Sequence, residues 1–585
     1  MKKNQLDALK ELRKRSEEYR NSLYSEADFD MYESYWRGEY PGVGDDILPV
    51  PTLTSNAKRQ MSSLFGGTPR VVISANDFES LPSARVATEY INMLIRETNL
   101  LEELKDAGQD AITNGSGFLV DGFGSEYGTS KEALFSGFEP TRTDAEGLRQ
   151  LEYKENVKSN MPWTLRVHPA DILLPPDTIR CRYAYGFFHR CVRHIDEVRA
   201  DEKYITKHRL KIKPDTHYDY TREKHDTSTA KNDYLTLWTW HDLRTTKVVV
   251  FNENYDFALL DNTDEIMYRT ERCQLHDIIF NPIPRMCYGA SDFHLMANLA
   301  REVNDIRTMQ MRQRRIQIFK GVYNRTMLEG LEDYEQIKKA IKGLTSDEVG
   351  ALIGIDGDPN QFLKGIQPGQ AMDMLPSLDL AKKEIEEYGL NVGPRQKGQM
   401  ESGRHTAYET QVAEGHYQRT IYPRMQAVQK SVLKIAENWL QLLKDFIIEP
   451  IAIRTYDAAG MPVLVQFTGL DLTGDFRFDI SMESMQSMSK EDKIREANMI
   501  LSQSMPFVQG GIANPEMLYR QWLSRVASED WQLEALCARP LGTGPGPVPF
   551  GQYQDTFRKQ VPQNTNSIAA MMQNQNMFGG QGKAG

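Results

Sequence analysis

Apolar residues recur at alternating intervals of three and four along one long segment in the last third of the chain. The repeating positions are Ile421, Met425, Val428, Val432, Ile435, Trp439, Leu442 and Phe446. This spacing places them on one face of an α-helix. Thr406 and Glu409 form a capping-box pattern at its start, so we predict one helix from Thr406 to Ile447, roughly 60 Å long at about 1.5 Å per residue. Pro423 lies inside it, and because proline removes a backbone donor we expect a kink there.

The residues just before this helix predict a loop. Glycine and proline interrupt any periodic pattern at Gly393, Pro394, Gly398 and Gly403. The same loop carries three basic side chains, Arg395, Lys397 and Arg404. A flexible basic loop that leads into one very long helix is more typical of a subunit in a large assembly than of a catalytic pocket.

The rest of the chain alternates between helix-like and strand-like patterns, which predicts an α+β fold. Helical patterns cover residues 4–24, 51–69, 83–113, 291–320 and 376–388, and a helical region from 489 to about 537. Strand patterns cover 70–75, 118–123, 163–169, 183–195, 234–243 and 247–255, with further strands near 450–480. Because turn residues separate the runs between 163 and 290, we expect a mixed, mainly antiparallel region there. A small α/β insert, with a helix at 331–343 and a strand at 350–355, separates the helices 291–320 and 376–388.

The helix predicted over 291–320 changes character along its length. Its apolar positions are Met296, Leu299, Val303, Ile306 and either Met309 or Gln310, a spacing that suits packing beside neighbouring helices. Its second half is basic, with Arg307, Arg312, Arg314, Arg315 and Lys320. These arginines could contact a polyanion or acids on an adjacent subunit, or they could form a solvated helix face, as most charge runs do. We favour the first interpretation because the apolar and basic residues occupy different parts of the helix.

The charge balance limits the kind of DNA contact that the chain can make. The 585 residues include 70 basic and 81 acidic side chains, a net charge of −11. Proteins that hold DNA through its phosphates carry positive charge, at least locally. We therefore expect any contact with DNA to be transient, non-specific and made through local basic clusters.

The sequence carries no pattern of a secreted or membrane protein. No uninterrupted apolar stretch reaches the roughly 20 residues of a membrane helix. The charged N-terminal segment lacks the apolar centre of a signal peptide, so we expect synthesis in the cytoplasm and no membrane partner. The five cysteines are widely scattered, which indicates neither a disulfide framework nor a Cys-rich zinc module.

The common catalytic and nucleotide-binding motifs are absent from the sequence or incomplete in it. The sequence has no P-loop pattern. Gly115-Ser116-Gly117 lies between a helix and a strand, the reverse of the dinucleotide-binding order, and predicts a tight turn. Residues 356–360 begin like a calcium loop, but Gln361 stands where glycine is needed and Gln367 where the bidentate glutamate belongs.

One histidine- and cysteine-containing strand was considered as a zinc site. His189 and Cys191 share a face of the predicted strand, but His194 lies on the opposite face unless the strand bends. A fourth ligand is not evident, although structural zinc sites need one. We therefore expect no metal, no cofactor and no enzymatic activity.

The order of these elements resembles the portal (head-to-tail connector) protein family of tailed bacteriophages. The resemblance covers about residues 50–540 and is carried by three local segments as well as by the order of parts. The segments are ITNGSGFLVDGF (112–123), RVHPADILLPPD (166–177) and ESGRHTAYETQVAEGHY (401–417).

The resemblance implies a portal-like protomer with a strand-rich wing, a helical stem, a small α/β clip, a long kinked helix and a helical crown. Its parts would be an N-terminal arm (1–50), wing (51–290), stem helix (291–320), clip (321–372), second stem helix (373–390), tunnel loop (391–405), long helix and wing strands (406–486), crown (487–541) and a low-complexity tail (542–585). Twelve copies would form a ring at one vertex of the capsid, as a channel for packaging and ejecting double-stranded DNA. The partners implied are the major capsid protein, the terminase large subunit and tail adaptor proteins.

Two other classes of function stay open at this point. One is a nucleic-acid-processing enzyme, which would need clustered acids that hold Mg²⁺. The other is a virion scaffold protein without a channel.

Overall fold

The structure is a computed structural model of the 585-residue chain. It describes residues 3–40, 49–124, 134–143, 149–156, 161–215, 234–263, 273–316, 320–324, 352–355, 363–366, 374–388, 407–448, 450–456, 462–480, 490–509, 518, 522 and 548–556. The chain divides into two compact units. Unit one comprises Met1–Ser25, Met61–Ala290 and Ile421–Gly585, and unit two comprises Glu26–Gln60 and Ser291–Thr420.

The described helices and strands make a mixed architecture. The helices are α1 (Lys3–Asn21), α2 (Glu26–Arg37), α3 (Thr52–Leu64), α4 (Leu81–Glu97), α5 (Leu100–Thr113), α6 (Ile195–Ala200), α7 (Thr206–Arg209), α8 (Asp292–Ile316), α9 (Leu375–Tyr388), α10 (Ala407–Phe446) and α11 (Lys490–Gln509).

The strands are β1 (Val71–Ala75), β2 (Gly117–Phe123), β3 (Leu134–Thr143), β4 (Arg149–Asn156), β5 (Pro162–Val167), β6 (Ile172–Leu173), β7 (Gly186–His194), β8 (Tyr234–Asp242), β9 (Lys247–Phe251), β10 (Ala258–Thr263), β11 (Leu275–Ile278), β12 (Lys320–Asn324), β13 (Leu352–Ile355), β14 (Leu363–Ile366), β15 (Ile451–Tyr456), β16 (Pro462–Phe467), β17 (Phe476–Ile480) and β18 (Val548–Pro549).

Unit one is built on two antiparallel sheets. One has five strands in the order β10-β9-β8-β7-β6, and the other has three in the order β11-β2-β5. Their antiparallel pairing confirms the prediction for residues 163–290. A third sheet, β15-β16-β18, and the pairs β1-β17 and β3-β4 complete the described strands of this unit. Helix α1 packs on the five-stranded sheet, with Leu6 in a cluster that includes Phe188, Trp240 and Phe251.

The second half of α10 packs on the three-stranded sheet. The predicted apolar stripe is confirmed from Ile421 to Leu442, since all seven of its positions there are buried. The guanidinium of Arg424 lies 5.1 Å above the Phe280 ring, just after β11. At the other end, Phe446 stacks on Phe123 of β2 with ring centroids 4.8 Å apart. This half of the helix is therefore fixed along its length by unit one.

Unit two contains a helix pair and a small sheet. Helices α8 and α9 pack together, and α9 buries Leu378, Ala381 and Ile385 at helical spacing. Between these helices in the chain lies a three-stranded sheet in the order β13-β12-β14, parallel on one side of β12 and antiparallel on the other. Helix α2 contacts α8 through the Tyr32 hydroxyl, 2.7 Å from Nδ1 of His294.

Two predicted helix boundaries were wrong. The helix expected over 83–113 is two helices, because Asn99 adopts a left-handed conformation with φ of 52° between them. Asparagine tolerates that conformation better than most residues, since its side chain bonds locally. The helix expected to reach Lys320 ends at Ile316, and Lys320 begins β12.

The glycines after α5 form the tight turn that the sequence predicted. Gly115 has φ of +86°, and Gly117 begins β2. A Cβ at Gly117 would lie 1.9 Å from the carbonyl oxygen of Ala107, so only glycine fits there without moving the backbone of α5.

Several predictions concern residues outside the described ranges. They include the loop 391–405, the cap residue Thr406, the start of the predicted helical region at 489, the helix at 331–343, the calcium-like segment, most of the region 510–541 and the tail from 557 onwards.

Candidate functional site

The basic face predicted for the helix at 291–320 lies on the C-terminal half of α8. Arg312 and Arg314 are exposed. Arg307 is half-buried, and its Nη1 donates to Oε1 of Gln310 at 3.3 Å. The backbone of Arg315 belongs to the helix, and its side chain is outside the described residues. The structure therefore leaves at least two of these guanidinium groups on the surface of unit two.

The buried face of α8 differs from the predicted one after the first two turns. Met296, Val303 and Gln310 are buried as expected, whereas Met309, the alternative to Gln310, is 51% exposed. The buried positions instead continue through Ala300, Asn304 and Thr308. A straight helix has 3.6 residues per turn, so its buried face drifts by about 20° per heptad from the coiled-coil spacing that the prediction used.

The proline inside the long helix does not end it. Helix α10 continues from Ala407 to Phe446 with Pro423 inside it. Pro423 is exposed, next to the buried Ile421 and Arg424. The kink stays a prediction. The loop residues Arg395, Lys397 and Arg404 lie outside the described residues, between the end of α9 and the start of α10.

The three candidate zinc ligands of β7 do not come together. Sγ of Cys191 lies 3.5 Å from Nε2 of His189, so these two side chains share a face. His194 instead caps α6, where its Nδ1 accepts from the backbone N–H of Asp196. Among the described residues, no group of three or more acidic, histidine or cysteine side chains is placed to hold a metal ion.

A buried polar network joins α10 to the three-stranded sheet. The carboxylate of Asp121 on β2 accepts from Oγ1 of Thr164 at 2.6 Å and from Nε2 of His276 at 2.5 Å. It also accepts from Nδ2 of Asn438 on α10 at 3.1 Å, and Nε1 of Trp439 donates to Oγ1 of Thr164 at 3.1 Å. Because the Asp121 and His276 side chains are only 1% and 2% exposed, a substrate cannot reach this pair as catalysis requires. The network is a structural clamp.

A basic cleft lies beside this clamp in unit one. Its volume is about 490 Å³, and its walls come from the turn at 179–182, from β11 and the loop that follows it, and from one side of α10. Five cations line it, Arg180, Arg182, Arg285, Lys430 and Lys434. Asp277 is the one acid among the lining residues, with Oδ1 3.5 Å from Nζ of Lys434.

Electrostatics in the cleft are dominated by positive charge. Burial lowers the pKa of Lys430, and the positive charge of Lys434 lowers it further, with smaller contributions from Arg182 and Arg180. The nearby Asp277 acts in the opposite direction. Lys430 is therefore surrounded by more positive than negative charge.

Sequence reasoning missed both the cleft and the clamp. Their residues come from separate segments of the chain. In the cleft, Arg182, Asp277 and Lys434 are more than 90 positions apart. In the clamp, Asp121 lies 43 positions from Thr164 and 317 from Asn438. One local signal was available. Lys430 and Lys434 are four residues apart on the predicted helix, so they lie on one side of it.

Comparison with known proteins finds a likeness in solved structures alone. No protein-family model and no curated protein sequence matches this chain. A solved structure described as the virion of a native gene transfer agent particle contains a similar chain, with 11% sequence identity and a TM-score of 0.33. The match covers 72% of this chain and 82% of that one. Among the described residues, no helix is both long enough and apolar enough to cross a membrane.

Proposed function

We propose that this chain is a virion portal protein. In this proposal twelve copies form a ring at one capsid vertex, and double-stranded DNA passes through its channel during packaging and ejection. The major capsid protein surrounds the ring, and the terminase large subunit and the tail adaptor proteins dock on it in turn.

The order and packing of α8, the small sheet and α9 carry the proposal. The chain leaves a helix at Ile316, forms the sheet β13-β12-β14, and returns through α9, which packs on α8. A sheet inserted between two packed helices suits a stem that carries a small clip for other proteins. The strands of β12–β14 thus fit the docking element of the proposed ring.

Exposed apolar side chains on the helix pair support assembly into a ring. Leu295 and Met309 on α8 are 61% and 51% exposed, and Leu375 and Leu380 on α9 are 54% and 59% exposed. Single exposed apolar residues are ordinary on a monomer. Four such side chains on two adjoining helices are better explained if a second copy of the chain covers these helices. The contacts would then run head to tail and close into a ring by rotation.

The decisive experiment is to image the purified protein and measure its mass. Twelve copies of the 67.0 kDa chain give a particle of about 800 kDa. We expect mass photometry to detect that species and negative-stain images to show closed rings with a central hole. If the protein is a monomer or an open filament under all conditions, the proposal is wrong.

A matched pair of variants tests the proposed ring contacts. Leu380→Glu places a charge on the exposed side of α9, where the proposal places a neighbouring copy, and should shift the protein from rings to monomers. Leu210→Glu makes the same exchange at a leucine of unit one that is 65% exposed. If the control also dissociates the rings, or if neither variant does, α9 has no special part in assembly.

A second experiment concerns DNA passage. Replacing Arg395, Lys397 and Arg404 together with alanine should leave ring assembly unchanged and alter DNA packaging or retention. Loss of assembly would instead give the loop a structural role.

A further inference from the structure

The basic cleft of unit one is formed by fixed walls. Cys181 is fully buried between Arg180 and Arg182 and anchors that turn in a hydrophobic cluster with Phe187 and Leu275. Oγ of Ser431 on α10 donates to the backbone carbonyl of Asp277 on β11 at 2.6 Å. The helix wall and the strand wall are therefore joined directly beneath the lysines.

The third wall also has a defined backbone. The loop after β11 is closed at its base, where the backbone N–H of Ala290 donates to the carbonyl of Asn281 at 2.8 Å. Within the loop, Arg285 adopts a left-handed conformation with φ of 65°. A long side chain rarely takes that conformation, and it persists only where the surrounding structure requires it. The loop thus presents Arg285 to the cleft from a strained position.

The described residues do not balance the positive charge of the cleft. Of its five cations, Lys434 pairs with Asp277, and no ion pair to a described residue involves Arg180, Arg285 or Lys430. This concentration of positive charge occurs in a chain whose net charge is −11. Unbalanced cations at the wall of a concave site attract anions and raise their local concentration.

The chemistry of the lining distinguishes among anions. Three of the five cations are arginines, whose planar guanidinium matches the oxygens of phosphate through paired hydrogen bonds. The other described lining residues are mainly isoleucine and proline, and none of the residues that line the cleft is aromatic. Without an aromatic surface a base cannot stack there, so recognition would be limited to the phosphate group.

We propose that this cleft is a binding site for phosphate groups, taken either from the backbone of double-stranded DNA or from a free polyphosphate. The site recognises the negative charge of the phosphate group and the arrangement of its oxygens, and it makes no base-specific contact. It belongs to a single copy of the chain, so it does not depend on the ring.

The test measures binding of two probes to the full-length protein. Tripolyphosphate is titrated by calorimetry, and a fluorescently labelled DNA duplex of random sequence is followed by anisotropy at low and at physiological salt. We expect at least one probe to bind, with affinity that falls as salt rises. Binding of both, with mutual competition, shows that the site takes the group from either source, and binding of one alone identifies the source.

Variants place the binding in the cleft. Lys430→Gln/Arg285→Gln should weaken binding by about tenfold or more, since each lost charge removes a charge-assisted hydrogen bond. Lys14→Gln, at an exposed lysine of α1 in the same unit, is the matched control and should bind like the wild type. Unchanged melting temperatures verify that the double variant is folded.

Three results would overturn the proposal. Neither probe binds the wild type, or the double variant binds as tightly as Lys14→Gln. The third is that an acidic poly-glutamate peptide occupies the cleft and neither phosphate probe displaces it, which would make the site a docking point for acidic protein segments.

Discussion

Two basic regions of this protein arise in different ways. On α8, exposed Arg312 and Arg314 follow one another along a single helix. In the cleft of unit one, cations from the 179–182 turn, the loop after β11 and α10 meet around one concave space. The first region is visible in the sequence as a charge run, whereas the second exists only after folding.

The difference lies in what holds the charges together. Chain connectivity alone places the arginines of α8 near one another. The cleft forms only while α10 stays packed on the β11-β2-β5 sheet. The hydrogen bonds of the Asp121 network hold the helix there. Damage to distant packing should therefore disturb the cleft and leave the α8 face unchanged.

The largest expected effect comes from removing the acceptor at the centre of that network. Asp121→Ala leaves the buried donors of Thr164, His276 and Asn438 without their carboxylate. Each buried donor left without its acceptor costs about 1–3 kcal/mol, so the loss of unfolding free energy should be about 3 kcal/mol or more. Urea denaturation followed by circular dichroism measures the loss.

Asp121→Asn is the control for this prediction. It keeps the shape of the side chain and one acceptor oxygen, so its cost should be smaller, about 1–3 kcal/mol. If Asp121→Ala costs less than about 1 kcal/mol, the network does not hold the helix on the sheet.

Acid should weaken the same unit through two histidines. Burial lowers the pKa of His189 to about 4 and that of His241 to about 3, and His241 stacks on Phe187 with ring centroids 4.5 Å apart. The unfolded chain takes up these protons near pH 6.5 and the folded chain does not. The contribution of these two histidines to stability is therefore constant above about pH 6.5 and falls as the pH decreases towards 4, by about 1.4 kcal/mol per pH unit for each histidine.

The measurement is a set of urea titrations between pH 5 and 7.5. At pH 5.5 the two histidines together should remove about 3 kcal/mol relative to pH 7.5. His241→Gln, which cannot titrate, should roughly halve the pH dependence. An equally steep dependence in that variant would assign the acid sensitivity to other groups.

The two regions also show where sequence reasoning succeeds. The stripe of α10 was predicted position by position because packing on one face follows from a local period. The same reasoning chose Leu299 and Ile306 on α8, where a small error in the assumed period moves the buried face to Ala300 and Asn304. It also missed the break at Asn99, since the neighbouring apolar pattern continues across it.

The cleft and the clamp were beyond the reach of a single sequence. Asp121, Thr164, His276 and Asn438 lie on four separate segments, and no local rule brings a carboxylate on β2 to an amide on α10. The order of strands in the sheet brings these two groups together, because β2 is the central strand between β5 and β11. Long-range strand pairing is not encoded in any short stretch of residues.

A smaller effect is expected inside the cleft itself, and it rests on the phosphate-binding proposal. Asp277→Asn removes the one lining acid while the backbone carbonyl that Ser431 contacts is kept. Charge pairs near the surface contribute about 0.2–1 kcal/mol, so phosphate probes should bind up to about fivefold more tightly. Asp445→Asn, at an exposed position of α10 outside the cleft, is the control. Unchanged or weaker binding by Asp277→Asn would contradict a cleft that selects anions by charge.

The smallest effect is predicted for the face of α8. Arg314 is exposed, so Arg314→Gln should change the unfolding free energy of the dissociated chain by less than about 0.5 kcal/mol. Arg301→Gln on the same helix is the contrasting variant, because Nη2 of Arg301 donates to the Tyr35 hydroxyl at 2.7 Å and its loss should cost about 1 kcal/mol. The informative step is to repeat Arg314→Gln on the assembled protein. If the variant alters the salt concentration at which rings dissociate or DNA is released, α8 faces an acidic partner. If it alters neither, the charge run is a solvated helix face, and the folded cleft is then the better candidate for anion contact.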